Sequence, residues 1–222
     1  MSYLYAPTEA EQDLLDFARR VLGGNLTDFL LSGLGEPHRT RRCYAARGPG
    51  THKWARTYQF EIVSDDEGGL PGGRDPLVLA ALLHLMWTGK AGRHEVAFRD
   101  EELLEKLDWP ESKASRRSVE AAVERYFSTS YCVTSRELPG AERVEGRYSQ
   151  ARKLVTGYEV TSERLPDAPK TMLKSTVVQL AAGFYEEVSG EGKYFFGLDF
   201  EQLQVRQLTA EEVTSNSPFN KT

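Results

Sequence analysis

Residues able to perform covalent catalysis are few in this sequence and form no familiar arrangement. The histidines are His38, His52, His84 and His94. Their spacing does not match the ligand pattern of a zinc site. The sequence contains no GxSxG motif, and neither Cys43 nor Cys132 has an evident histidine partner. We therefore expect a protein that is not an enzyme and that requires neither a metal ion nor a cofactor.

Contact with phosphate is the chemistry that the sequence offers most clearly. Five hydroxyl or cationic residues stand where a helix is predicted to begin: Ser112, Lys113, Ser115, Arg116 and Arg117. The positive end of the helix dipole disfavours cations there, and bound phosphates would offset that cost. In helix-turn-helix proteins this end of the recognition helix contacts base edges, and arginine can bind guanine with two hydrogen bonds. These five residues are predicted DNA contacts, with a solvated structural face as the alternative.

Two other basic stretches could contact the DNA backbone. Residues 37–60 carry six basic residues and no acid. Residues 37–56 are interrupted by Gly48-Pro49-Gly50, so they are predicted to form a flexible arm that contacts phosphate through Arg39, Arg41 and Arg42, or else a solvated linker. Residues 136–153 are predicted to be a basic loop between two strands. Its predicted DNA contacts are Arg136, Arg143, Arg147, Arg152 and Lys153.

The predicted elements would place these basic residues around one fold. An acidic amphipathic helix is expected at 9–22, and a strand at 57–63. Asp75 as the N-cap and Pro76 as the first helical residue are typical of a helix start, and the helix that follows is apolar on all sides, which indicates a buried position. A short helix is also expected at roughly 26–34, and a turn at Phe184 and a strand at 194–200 are expected near the end of the sequence. Between residues 75 and 160, the remaining elements are a strand near 96–98, helices at 101–108 and 112–128, and strands at 131–135 and 154–160. This order predicts a winged helix within an α+β fold, with the basic hairpin as the wing.

Composition agrees with an ordinary globular protein. The chain has 222 residues, 27% of them charged and 40% hydrophobic, and a net charge of −5. No apolar run approaches the ~20 residues that a membrane-spanning helix needs. The first residues are too acidic for a signal peptide, and the two cysteines are expected to be reduced thiols. We expect a cytoplasmic protein with no membrane contact.

Four segments follow from these patterns. They are an N-terminal acidic helical segment (1–36), the basic arm (37–56), the winged-helix domain (57–208) and a polar C-terminal tail (209–222).

Several short motifs, in order, resemble the replication initiator protein A family of plasmid initiators. Residues 69–75 contain a Leu-Pro-x-x-x-Asp entry into the first core helix. Residues 102–110 read ELLEKLDWP and are similar to the family's ELLxxLGWP. Residues 177–185, followed by 196–200, resemble the VxxSxxAGYxKxLDxxFY segment of the family. The resemblance spans roughly residues 57–204 and is carried by the order of the motifs.

This resemblance implies a winged-helix protein that binds double-stranded DNA at plasmid origin repeats and starts replication. It also implies dimerisation and recruitment of host replication proteins. The family continues into a second winged domain, which we expect to be absent from this chain. Dimerisation and backbone contact are therefore the functions expected first. A winged-helix transcription regulator and a winged-helix protein-interaction domain are the alternatives.

Overall fold

The structure, a computed structural model, describes residues 7–22, 39–47, 56–64, 68–89, 94–137, 148–165, 168–189 and 204–207. These residues form an α+β fold. The helices are α1 (Glu9–Leu22), α2 (Asp75–Thr88), α3 (Asp100–Lys106), α4 (Lys113–Ser128) and α5 (Ala182–Ser189). The strands are β1 (Arg39–Arg47), β2 (Arg56–Ser64), β3 (Glu95–Arg99), β4 (Thr129–Glu137), β5 (Tyr148–Arg152), β6 (Val155–Leu165), β7 (Ala168–Leu180) and β8 (Gln204–Gln207). In the described part of the chain, no helix has the length and apolar character needed to cross a bilayer.

Helix α2 lies at the centre of the core, as its sequence predicts. Residues 77–83 are each at most 1% exposed, so the helix is covered on every side along this stretch. Pro76 occupies the first turn, where its missing N–H removes no helical hydrogen bond. The N-cap is Arg74, and Asp75 is the first helical residue, so the prediction of Asp75 as the cap is wrong by one position.

The carboxylate of Asp75 joins three parts of the chain. It accepts a hydrogen bond from the backbone N–H of Gly72 at 2.8 Å. It also binds the guanidinium of Arg125 on α4 through Nε and Nη2, both at 2.7 Å. This two-point contact fixes the start of α2 against the C-terminal half of α4.

Helix α1 is the predicted amphipathic helix, and it packs on α2. Thr8 Oγ1 accepts from the backbone N–H of Glu11, and the Glu11 carboxylate accepts from the backbone N–H of Thr8, which is a capping box. Leu14, Leu15 and Ala18 are buried and belong to the same hydrophobic cluster as α2. The N-terminal acidic helix is therefore part of the main core.

The connection from α3 to α4 is a tight turn. Asp108 adopts a positive φ of 54°, a conformation that ends a helix and that aspartate tolerates better than most residues. The backbone N–H of Trp109 then donates to the carbonyl of Leu104 at 2.9 Å. The turn directs the chain into α4 at the point where the predicted DNA-contacting residues begin.

The strands form two antiparallel sheets. The five-stranded sheet has the order β5-β4-β2-β1-β8, and the three-stranded sheet has the order β3-β7-β6. Helix α4 packs against β6 and α2, and α3 contacts β3 and β7. The helices from α2 to α4 are therefore grouped with the three-stranded sheet.

The structure corrects the predicted basic hairpin. The strand predicted at 131–135 is β4, but its antiparallel partners are β2 and β5, and β5 lies in a segment predicted to be loop. The predicted return strand at 154–160 is the first part of β6, and it pairs with β7 in the other sheet. Residues 148–152 lack the apolar alternation that identifies a half-buried strand, which explains why pattern alone missed β5.

The predicted flexible arm also contains regular structure. Residues 39–47 form β1, which pairs with β2 along most of its length and with β8 on its other edge. The prediction of a loop throughout 37–56 is wrong for this stretch. The segment around Phe184, predicted as a turn, is helix α5. The helix predicted at 26–34, the strand predicted at 194–200 and the predicted polar tail lie outside the described residues.

Candidate nucleic-acid interface

The two predicted serine contacts form the start of α4. Ser112 is the N-cap, and its Oγ accepts a hydrogen bond from the backbone N–H of Ser115 at 3.1 Å. The hydroxyl oxygens of the two serines lie 2.9 Å apart. An N-cap serine typically contributes about 1 kcal/mol to helix stability. Both hydroxyls therefore help to begin the helix that carries the basic residues.

Arg116 is held by carboxylates. Its Nη2 lies 2.8 Å from Glu101 Oε1 on α3 and 2.7 Å from Glu111 Oε1 in the connection before α4. These contacts tie the start of α4 to α3. A phosphate would have to displace two carboxylates to reach this guanidinium, so Arg116 is positioned as a structural link between the helices.

Lys113 and Arg117 are arranged differently. Both side chains are exposed. Neither has an ion-pair partner within the described part of the chain. They lie one helical turn apart, at the end of α4 where the backbone N–H groups give a positive potential. These two cations can approach an anion without breaking an existing ion pair.

An open groove of about 470 Å³ lies beside this helix start. Lys113, Arg116 and Arg117 line it together with Lys174 from β7. Lys174 was absent from the sequence prediction, because only the packing of α4 beside the three-stranded sheet brings it to the groove. No local signal in the sequence could have identified it.

Two acidic residues also line the groove, and both are already paired. Glu111 binds Arg116, and Glu120 binds the ammonium group of Lys174. Within each pair, the positive and negative charges largely cancel. The positive charge that stays uncompensated in the groove is that of Lys113 and Arg117.

The other predicted contacts lie in the five-stranded sheet, away from the start of α4. Arg39, Arg41 and Arg42 are in β1, Arg136 is in β4, and Arg152 is in β5. One row of paired residues across four strands consists of Thr40, Ile62, Tyr131 and Arg152. Arg152 is thus in register with the end of β1 that carries the three arginines. Arg136 belongs to a row nearer the opposite end.

The remaining predicted contacts are Lys153, Arg143 and Arg147. Lys153 follows β5, and its Nζ lies 5.2 Å from the centroid of the Phe127 ring, within the range of a cation–π contact. Arg143 and Arg147 lie outside the described residues. The predicted interface is therefore divided between the start of α4 and a separate sheet.

The described residues contain no group of three or more histidine, cysteine, aspartate or glutamate side chains placed to hold a metal ion. His84 on α2 is half-buried, and its Nδ1 is buried with no hydrogen-bond partner among the described residues. Its ring packs against Phe17, with the centroids 4.8 Å apart. The prediction that the chain uses no metal or cofactor stays a prediction.

No protein-family model and no curated protein matches the chain. Two crystal structures of domains 2 and 3 of a protein named RctB are similar in structure. One has a TM-score of 0.46 at 17% identity and covers 75% of this chain and 60% of its own. The other has a TM-score of 0.48 at 17% identity and covers 72% of this chain and 58% of its own. The chain thus matches about three fifths of each structure, and the likeness is limited to the coarse arrangement of helices and strands.

Proposed function

We propose that this chain binds double-stranded DNA and that the start of α4 makes the principal contact. The supporting observation is that Lys113 and Arg117 are exposed, lie one turn apart and have no ion-pair partner among the described residues. The open groove and the positive end of a 16-residue helix lie beside them. Backbone phosphates and guanine edges are the groups that such an arrangement would bind.

We also propose that the segment from α2 to β7 is a winged helix. The order of its elements supports this: α2, β3, α3 and α4 are followed by β6 and β7, with the β4–β5 hairpin inserted before β6. The pairing of β3 with β7, and of β7 with β6, gives a three-stranded sheet against the helices. In this proposal α4 is the recognition helix, and the β6–β7 hairpin takes the place of the wing predicted at 136–153.

The arginines of the five-stranded sheet are proposed as a second surface that contacts the DNA backbone. The register supports this for Arg39 and Arg41, because they alternate along β1 with Thr40, whose row contains the buried Ile62 and Tyr131. Contacts of this kind would position the duplex without reading its sequence.

A role in starting plasmid replication is proposed from the order of motifs between residues 57 and 204. It includes dimerisation, recruitment of host replication proteins, action in the cytoplasm and no covalent chemistry by the chain itself. This role predicts that the chain binds specifically to repeated sites in the plasmid origin.

The test is fluorescence-anisotropy binding to duplex DNA from the region upstream of the protein's own gene, compared with scrambled duplex, over a range of salt concentrations. We expect affinity to fall steeply with salt, because each neutralised phosphate releases counterions. Lys113→Ala and Arg117→Ala should each weaken binding and reduce the slope of log K against log salt by about 1 if the lost contact is to phosphate. Arg20→Ala, at an exposed position on α1, is the matched control and should bind as the wild type does.

Two outcomes would contradict the proposal. The first is a Lys113→Ala/Arg117→Ala double variant that binds as tightly as the wild type at every salt concentration. The second is an absence of binding at low salt, which would favour a protein-interaction domain. Binding to a single operator with no tandem repeats would support the DNA contact but would favour a transcription regulator over an initiator.

A further inference from the structure

A second cavity, of about 300 Å³, lies between α4 and the three-stranded sheet. Its apolar walls come from the buried side chains of Phe98, Val119 and Val123. Tyr158 and Val160 of β6 also line the cavity and are 40% and 41% exposed. The cavity therefore combines a buried apolar interior with apolar groups that face solvent.

An acidic group that lacks a partner also lines this cavity. Asp100, the first residue of α3, is 5% exposed, and its Oδ2 is buried with no hydrogen-bond partner among the described residues. A buried carboxylate oxygen without a hydrogen bond destabilises the folded chain, because it has lost its contacts with water and gained none in their place. A ligand that supplies a donor would recover that cost.

The charges around Asp100 favour a cationic donor. Glu120 and Glu124 also line the cavity. The two cations that act on Asp100 are already in ion pairs, since Arg116 binds Glu101 and Glu111, and Lys174 binds Glu120. Burial raises the pKa of Asp100, and Arg116 and Lys174 oppose that rise. The uncompensated groups that line the cavity are thus negative, whereas those in the groove beside Lys113 are positive.

We propose that this cavity is a binding site for a small amphipathic organic cation, with an ammonium or guanidinium group directed to Asp100 and an aromatic or branched apolar group between Val119, Val123 and Tyr158. The volume is at the lower end of the range for small-ligand cavities, which suits a ligand with a single ring. The site uses the flank of α4 that carries Val119 and Val123. Neither Lys113 nor Arg117 lines it.

The test uses benzylammonium as the probe and benzyl alcohol as its neutral counterpart. Each is titrated into the full ¹⁵N-labelled chain and followed by two-dimensional NMR. We expect saturable shifts in the amides of the residues that line the cavity with benzylammonium. Benzyl alcohol should bind about tenfold more weakly, because its hydroxyl can donate a hydrogen bond but lacks the positive charge that strengthens the contact with a carboxylate.

Substitutions test whether the positive group of benzylammonium binds Asp100. Asp100→Asn should remove most of the preference for benzylammonium over benzyl alcohol, and Glu124→Gln should reduce it if the first variant does not fold. Glu105→Gln is the matched control, because it removes an exposed carboxylate from α3 that does not line the cavity. Equal affinity for the two probes, shifts confined to residues elsewhere, or a preference unchanged in both Asp100→Asn and Glu124→Gln would overturn the proposal.

Discussion

Arg116 and Arg117 are adjacent in the sequence but occupy different environments. Arg116 is shared between Glu101 and Glu111, whereas Arg117 is exposed with no ion-pair partner in the described part of the chain. A ligand gains little from a cation that is already neutralised. At the scale of single residues, the number of basic side chains is therefore a poor guide to how many of them can contact DNA.

His84 shows a similar effect of environment on one side chain. Its ring lies between α1 and α2 against Phe17, and burial, with a smaller contribution from Lys106, lowers its pKa from the usual 6.5. The unfolded chain therefore binds a proton more readily than the folded one as the pH falls. The stabilising contribution of the neutral ring is complete above about pH 6.5 and is lost below it.

We predict that His84→Gln changes the pH dependence of stability. The free energy of unfolding should be measured with denaturant between about pH 8 and pH 5, a range that spans the usual histidine pKa. The stability of the wild type relative to the variant should decline as the pH falls below about 6.5. His94→Gln removes an exposed histidine and retains His84, so it should keep the wild-type profile. Parallel profiles for the wild type and His84→Gln would show that this ring does not contribute.

At the scale of elements, α1 is attached to the core by a polar contact as well as an apolar face. Glu11 is fully buried, and its Oε1 accepts a hydrogen bond from Nε1 of Trp109 at 2.9 Å. Nη2 of Arg74 lies 3.4 Å from the same oxygen, and the Arg74 guanidinium is 5.2 Å from the centroid of the Trp109 ring. One carboxylate thus connects α1 to the entry of α2 and to the turn before α4.

We predict that Glu11→Ala destabilises the protein by about 1–3 kcal/mol or more, because it leaves the buried indole N–H of Trp109 without its acceptor and removes the capping box. Urea unfolding followed by tryptophan fluorescence measures the change. Glu9→Ala removes an exposed acid from the same helical turn and should cost much less. Equal losses for the two variants would mean that the buried contact is not the cause.

At the scale of the whole molecule, α2 and α4 are joined by the ion pair between Asp75 and Arg125. The Asp75 side chain is 7% exposed, and its hydrogen bonds raise the pKa of Arg125, which therefore stays charged. Breaking a buried pair by removing one partner is much more costly than the net value of the pair, because a buried charge is left without compensation.

We predict that Arg125→Leu lowers the stability of the whole chain by about 3 kcal/mol. In a chain of this size, that corresponds to a fall in Tm of roughly 6–12 °C. Calorimetry measures the shift, and Arg125→Lys should give an intermediate value because it keeps the charge but not the two-point geometry. Arg20→Leu, at an exposed position, is the control for the loss of one positive charge. A shift of about 2 °C in Tm corresponds to less than about 1 kcal/mol. If Arg125→Leu has a Tm that close to the wild-type value, Asp75 is adequately solvated without its partner.

The elements defined by local pattern were predictable from the sequence. The amphipathic repeat of Leu14, Leu15 and Ala18, the apolar helix 77–83 and the basic start of α4 all appear where their patterns indicate. Each depends on residues within a few positions of one another, and side-chain period and helix-end chemistry act over that distance.

Pairing between distant segments was settled by the folded chain. The pattern of residues 154–160 indicates a strand but does not identify its partner. The sequence therefore predicts a hairpin with β4, whereas β6 pairs with β7 in the folded chain. The same packing brings Lys174 to the groove beside Lys113 and places carboxylates on Arg116. The strand pairings and ion pairs that form are those that bury the most apolar surface and leave the fewest charges unpaired. That comparison involves the whole molecule, so no local stretch of sequence contains the answer.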